Sequence, residues 1–291
     1  MKKLKAELLL LLVATIWAGT FPIIKISLPN VQPFTFLGTR FLIAAIIFTL
    51  IFYKKLSFTR KEMMPGILLG SLQFIGFSTQ TVGMLYTTAT NSALITGVNI
   101  MLVPFVQKFL SSKPVKLENW IGVLIVTGGF LFLTLPAASS LNKGDLITLI
   151  CAFAWAFYIV YVDIFTTKFN IYNMIFIQLW FVGIVSLPIS FLLEAPVSVP
   201  FTTEFLFSIL YMSIFATLIT TILVNKYQKE TTPIRATIIF SWEQPAAVIL
   251  SVLFIAELIS FHVMMGGLLI VAGILFSETF YYFRIKKIGN N

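Results

Sequence analysis

Two side chains in this sequence carry formal charge deep inside long apolar runs, far from either end, and each is a candidate for chemistry. Glu243 lies ten residues into the apolar stretch 234–256, within WEQP. A carboxylate there is expensive in hydrocarbon, so it has to face the protein interior and be paired, hydrated or protonated. Such a group can bind a substrate ammonium or exchange a proton; the alternative is a structural role, held by hydroxyls and amides of nearby helices. Arg40 lies in GTRFLIAA, about seven residues from one end of the stretch 34–53. Its guanidinium can attract a carboxylate or phosphate, or it can snorkel to the interface or form a fixed pair.

Around these charges the sequence sets polar and aromatic groups at helical spacing. Gln73 and Gln80 are seven apart, Thr96 and Asn99 three apart, and Trp155 and Tyr158 three apart. With Trp17 and Trp242 they can wall an amphipathic cavity suited to a small organic solute, although aromatic residues in such runs also serve packing and interface anchoring. Pro104 and Pro245 sit inside apolar runs. A proline in a helix frees the carbonyl four residues earlier, here those of Ile100 and Ser241, so a kink near the middle of each run is expected.

The elements that must position these groups follow from composition. Of 291 residues 58% are hydrophobic and 11% charged, a membrane composition. Runs of about 20 apolar residues, the length that spans a bilayer, fall at 7–26, 34–53, 64–85, 91–111, 119–135, 144–162, 172–192, 204–225, 234–256 and 262–282. They are continuously apolar, without the alternation of a barrel strand. Ten helices take up nearly the whole chain and leave no stretch for a soluble catalytic or ATP-binding module.

The net charge of +9 follows the loops. With both termini cytoplasmic, every basic residue except Lys25, Arg40 and Lys143 falls on the inner side. The basic character is a topology signal, and no nucleic-acid partner is expected. Cys151 is the single cysteine and His262 the single histidine, so neither a disulfide framework nor a metal cluster is expected. The chain has no HExxH, no GxSxG and no paired interior carboxylates. No cofactor, no metal site and no catalytic residues are expected.

The sequence is internally repeated. Glu7, Leu8, Leu11, Ala14, Trp17 and Ala18 match Asp145, Leu146, Leu149, Ala152, Trp155 and Ala156, which identifies the N-terminal apolar run as a repeated span, despite its layout resembling a signal peptide. Arg40 matches Gln178 at the same offset, so the charge is not demanded by the shared architecture. Tyr86, Thr90, Thr96 and Pro104 match Tyr227, Thr231, Thr237 and Pro245, and Gly122, Gly129 and Phe132 match Gly266, Gly273 and Phe276. The repeats occupy 1–137 and 138–291. Five spans per repeat is odd, so the second copy must cross in the opposite direction.

GTRFLIAA at 38–45, NSALITGVNIMLVPF at 91–105, GDLITLICAFAWAFYIVYVD at 144–163, and WEQP followed by AELIS within 242–260 resemble the EamA type of the drug/metabolite transporter superfamily over essentially the full chain. The resemblance implies a ten-helix carrier. Many members are proposed to export amino acids or other small metabolites, and relatives carry nucleotide sugars and phosphorylated sugars. Two departures stand out: Gln244 separates Glu243 from Pro245, where the family commonly has glutamate directly before proline, and Leu258 follows Glu257 where a basic residue is usual. Four-helix exporters of the superfamily use a mid-membrane glutamate in their first helix, whereas Glu7 lies at the membrane edge, so that scheme is not supported.

The expectation is an all-α integral membrane protein of ten transmembrane helices, arranged as two inverted five-helix repeats in the cell membrane. It would move a small organic metabolite, amino acids among the candidates, by alternating access. The alternatives are a carrier of sugar-nucleotide or phosphorylated solutes, or a non-transporting receptor or scaffold. Its partners would be the solute and the lipid bilayer, with nothing to indicate a homodimer.

Overall fold

In hydrocarbon a chain must satisfy its backbone hydrogen bonds internally, and continuously apolar runs do so as helices. The computed structural model describes residues 2–57, 59–111, 117–134, 142–194, 196, 199–256, 261–262, 264–273 and 276, and all its regular elements among these are helical. Seven helical stretches are long and apolar enough to cross a membrane: Lys3–Ser27, Pro33–Lys55, Ala89–Leu110, Lys143–Thr166, Ile171–Leu193, Thr203–Glu230 and Pro233–Ile255. Three further helices complete the expected ten. Met63–Gly83 has the length, at 21 residues, but its apolar character is diluted by Gln73, Gln80 and four glycines. Leu117–Thr134 has 18 residues, and Met264–Gly273 is the described part of the last. Glu257, Leu258 and the basic residues Lys113, Lys116, Arg284, Lys286 and Lys287 lie outside the described residues.

In chain order the helices are α1 Lys2–Ala18, α2 Thr20–Ser27, α3 Pro33–Phe52, α4 Met63–Gly83, α5 Ala89–Thr96, α6 Asn99–Leu110, α7 Leu117–Thr134, α8 Lys143–Thr166, α9 Ile171–Leu193, α10 Thr203–Leu210, α11 Thr220–Tyr227, α12 Pro233–Phe240, α13 Glu243–Ile255 and α14 Met264–Gly273. The first, fourth and ninth spans are therefore each in two pieces. The eighth holds a π-helical segment, Tyr211–Ile219, between α10 and α11.

The halves run in opposite directions, as three contacts show. At one face Lys25, near the end of the first span, donates to the carbonyls of Met84 and Thr87 at 2.8 and 2.7 Å. Thr87 in turn donates to Asp145, near the start of the sixth span, at 2.5 Å. The first span thus ends where its copy begins. At the other face Glu7, near the start of the first span, pairs with Arg235, at the start of the ninth, at 2.9 Å. The two-fold relation is visible in the close approach of α7 and α14. A Cβ on Gly129 would lie 2.9 Å from the backbone nitrogen of Ile270, and one on Gly273 would lie 2.8 Å from Val126. The two contacts are images of each other at an offset of 144, and the missing side chains let the helix backbones touch.

The breaks fall differently about the two prolines: in the ninth span at Ser241, whose carbonyl Pro245 frees, and in the fourth span away from Ile100. The fourth span is interrupted at Gly97–Val98, seven residues before Pro104, which lies inside α6. In the ninth span the interruption falls at Ser241–Trp242 and Pro245 is the third residue of α13, in the first turn where a missing N–H costs nothing. Neither interruption is an open gap. Gly97 and Val98 donate to carbonyls three residues back, at 3.1 Å each, and Trp242 donates to Ile239 at 3.2 Å, so both turns are tightened in the 3₁₀ manner.

The register of the opening repeat also shifts. Thr88 caps α5 by accepting from the Asn91 N–H, and Thr232 caps α12 by accepting from the Arg235 N–H, at 3.0 and 3.3 Å. These caps are 144 apart, not 141, and so are the starts and ends of α5 and α12 and the starts of α6 and α13. A threonine cap fixes where a helix begins, whereas the shared Tyr, Thr and Pro letters do not. Asn99 and Glu243, each the first residue of the second piece of its span, are therefore structural counterparts, and Pro104 and Pro245 are not.

Candidate functional site

The broken spans meet between the halves. A Cβ on Gly97 would lie 3.0 Å from the Gln244 side chain, so the interruption of the fourth span rests against the start of α13. Beside this contact lies a cavity lined by Trp17, Thr20, Phe77, Gln80, Thr96, Asn99, Trp155, Tyr158, Ile159, Val224, Phe240 and Glu243. These residues come from six of the spans and from both repeats. The cavity volume is about 20 Å³, room for about one water. An organic solute does not fit in this space unless the lining side chains move.

Of the candidates expected from sequence, Trp17, Gln80, Thr96, Asn99, Trp155, Tyr158 and Glu243 come together here. The aromatic wall is continuous. Trp17 packs on Trp155 and Phe240 with ring centroids 5.7 and 5.4 Å apart, and Trp155 meets Phe77 and Tyr158 edge-on at 4.8 and 5.2 Å. Edge-to-face geometry is the favourable one for aromatic pairs. The Trp17 indole N–H donates to the Ala216 carbonyl at 3.2 Å, an acceptor inside the π segment. Gln80 donates to the Thr96 hydroxyl at 3.2 Å. Cys151, fully buried, lies 3.9 Å from the same hydroxyl.

Glu243 is 8% exposed, opens onto this cavity, and makes no salt bridge among the described residues. A buried carboxylate beside aromatic faces suits a cationic group, since the carboxylate attracts the charge and the ring faces add to it.

Gln73 and Gln178 stand behind the cavity wall. Gln73 donates to the Tyr158 hydroxyl at 3.1 Å, and that hydroxyl donates to Gln178 at 3.1 Å. Gln178 donates to Asn225 at 3.3 Å, and Asn225 reaches back to the Tyr158 hydroxyl at 3.4 Å. They orient Tyr158 rather than line the space. Trp242 turns away: its indole N–H donates to Thr15 on α1 at 3.1 Å, at an exposed position. Arg40 is not at the lining either, but it does not snorkel. Its side chain is fully buried, and Nε donates to the Thr217 hydroxyl at 2.9 Å.

Sequence reasoning missed Phe77, Phe240, Ile159, Val224 and Thr20. Phe77 and Phe240 are two of 30 phenylalanines, and nothing in their spacing distinguishes a cavity wall from a lipid-facing ring. The π segment was also unforeseen. Its nine residues, YMSIFATLI, read as an ordinary apolar helix, yet it supplies the acceptors for Trp17 and Arg40. Such segments are uncommon and often fall at functional sites.

The EamA-like transporter family matches this chain twice, over residues 4–135 and 142–279. An uncharacterized transporter of Archaeoglobus fulgidus is 33% identical over 280 residues, covering 94% of this chain and 86% of the relative. The uncharacterized transporter YoaV of Bacillus subtilis is 24% identical over 290 residues, covering 97% and 99% of the two chains. A crystal structure of 17% identity superimposes with a TM-score of 0.76 over 96% of this chain and 99% of the other, which shows a common fold. With both halves matched, and a relative of this similarity along most of its length, the chain belongs to the EamA-like transporter family.

Proposed function

We propose that the protein is a secondary transporter that moves a small organic metabolite, with amino acids among the candidates, across the cell membrane by alternating access. The observation that carries this reading is the cavity itself: closed to about 20 Å³, built from both halves, and bounded by interrupted helices that can re-pack. Two related halves can exchange one open shape for its mirror at little difference in energy. The contacts at the two faces fit that scheme as closures, Glu7 with Arg235 on one side and Lys25, Thr87 and Asp145 on the other. Both are made here, in keeping with an occluded state. The bias of the basic residues in the loops supports cytoplasmic N- and C-termini.

Glu243 is the candidate for recognising a positive group on the solute or for coupling its movement to a proton. The cavity lining holds this one acid and no lysine or arginine, which favours an amine-bearing solute over a sugar nucleotide or a sugar phosphate. The test is flux in proteoliposomes containing the purified protein, with radiolabelled amino acids, amines and organic anions supplied under imposed pH, sodium and voltage gradients. Movement of an amine-bearing compound at a rate that depends on Glu243 is the expected result; no movement of any of them under any gradient would remove the transport reading.

A further inference from the structure

Arg40 is the least accounted-for charge in the molecule. Its side chain has no accessible surface, and both terminal nitrogens, Nη1 and Nη2, are buried without a hydrogen-bond partner among the described residues. Nε alone is engaged, by the neutral Thr217 hydroxyl at 2.9 Å. The guanidinium carbon lies over the rings of Phe77 and Phe41, 4.5 and 5.1 Å from their centroids, and no acidic group forms a salt bridge with it among the described residues. A guanidinium stays protonated in proteins. A fixed cation inside a membrane with no counter-ion is a state that needs a partner at some stage of the cycle.

The geometry says what kind of partner. Thr217 and the two rings fix the plane of the guanidinium and leave its two-nitrogen end unused. That end is the planar fork that takes a carboxylate by two parallel hydrogen bonds. The fold does not require the charge, because Gln178 holds the equivalent place in the other half and spends its amide on Tyr158 and Asn225. Phe77 connects the group to the solute space: it lines the cavity and carries the guanidinium on its ring.

We propose that Arg40 is the docking group for a carboxylate on the transported solute, and that the Phe77 ring is the shutter that must turn to admit it. The proposal rests on the transport reading and deepens it. With Glu243 on the cavity lining, it gives the site two poles and selects solutes that carry a carboxylate together with a positive group.

Two measurements on the full-length protein test it. In detergent, the unfolding midpoint is followed while sodium acetate replaces sodium chloride at constant ionic strength. Acetate is expected to raise the midpoint of the unaltered protein. The response should saturate at lower acetate in Phe77→Leu and vanish in Arg40→Gln. Arg40→Lys, which keeps the charge without the fork, should need about tenfold more acetate or beyond. It also serves if Arg40→Gln does not fold. An acetate response undiminished in both Arg40 variants overturns the proposal, as does its absence from both the unaltered protein and Phe77→Leu; a response confined to sodium phosphate overturns the carboxylate assignment. In proteoliposomes, exchange of radiolabelled L-amino acids is compared with that of their carboxamides. Arg40→Gln is expected to lose the preference for the acid. If acids and amides move alike with Arg40 intact, the subsite fails and transport stands; if nothing moves while the acetate response persists, transport fails and the subsite stands.

Discussion

Asn99 and Glu243 occupy the same place in the two halves. Each opens the second piece of a broken span, 144 residues apart, and both line the central cavity. One half offers an amide where the other offers an acid, so the near two-fold symmetry is broken at this position by one acidic group. On the proposed transport reading, the asymmetry favours one orientation of a bound solute.

Replacing the acid tests whether that charge matters. Glu243→Gln is expected to lower exchange by about tenfold or more, the loss that accompanies one charge-assisted hydrogen bond. The double exchange Asn99→Glu with Glu243→Asn should recover part of the rate lost in Glu243→Asn alone, because it restores one acid to an equivalent position. Counterflow in proteoliposomes measures both. Equal rates in the unaltered protein and Glu243→Gln would rule out charge recognition and coupling at this residue.

The pair between Glu7 and Arg235 holds the first and ninth spans together at one face. Arg235 is 3% exposed and Glu7 13%, so the pair is shielded from solvent, unlike the looser 3.8 Å approach of Lys3 to Glu7. Glu7→Gln should cost about 1–3 kcal/mol and favour opening at this face. Cys151 is a built-in reporter, being the single cysteine and lying beside Thr96 of the cavity. Its alkylation by a maleimide is expected to be slow in the unaltered protein and faster in Glu7→Gln.

Tyr158 is the junction of three polar side chains, Gln73, Gln178 and Asn225. Tyr158→Phe removes the hydroxyl that Gln73 and Asn225 donate to and that Gln178 accepts from. Buried amides left without partners cost about 1–3 kcal/mol. The unfolding midpoint should fall, while Tyr161→Phe, outside this network, should leave it nearly unchanged.

The approach of α7 to α14 depends on two missing side chains. Gly129→Ala and Gly273→Ala each place a methyl within 3 Å of the facing helix, and overpacking of this kind costs about 1–3 kcal/mol. Both variants are expected to unfold at lower temperature by similar amounts, as their contacts are images of each other. A large effect in one and none in the other would contradict the two-fold relation.

The spans were legible because continuous apolar runs of bilayer length permit few other structures, and the inversion was legible because an odd-numbered repeat must turn over. Glu243 and most of the cavity wall could be found because a charge or an amide amid hydrocarbon has to face inward. What escaped notice depended on details that apolar letters do not encode. The register of the fourth spans is set by the caps Thr88 and Thr232, not by the shared Tyr, Thr and Pro. Whether Trp242 faces the cavity or Thr15 turns on a few tens of degrees of helix rotation, beyond what residue spacing resolves. Arg40 is buried, not snorkelled, and its one acceptor, Thr217, lies in the π segment that apolar letters do not reveal.

The contact of Gly97 with the Gln244 side chain joins the two interruptions into a single joint. A bend in one crossing helix there presses on its counterpart, which on the proposed alternating-access reading gears the two mouths of the pathway together. On that reading the protein cannot readily stand open at both ends at once, and the same few atoms that would let cargo through would also keep the membrane from leaking.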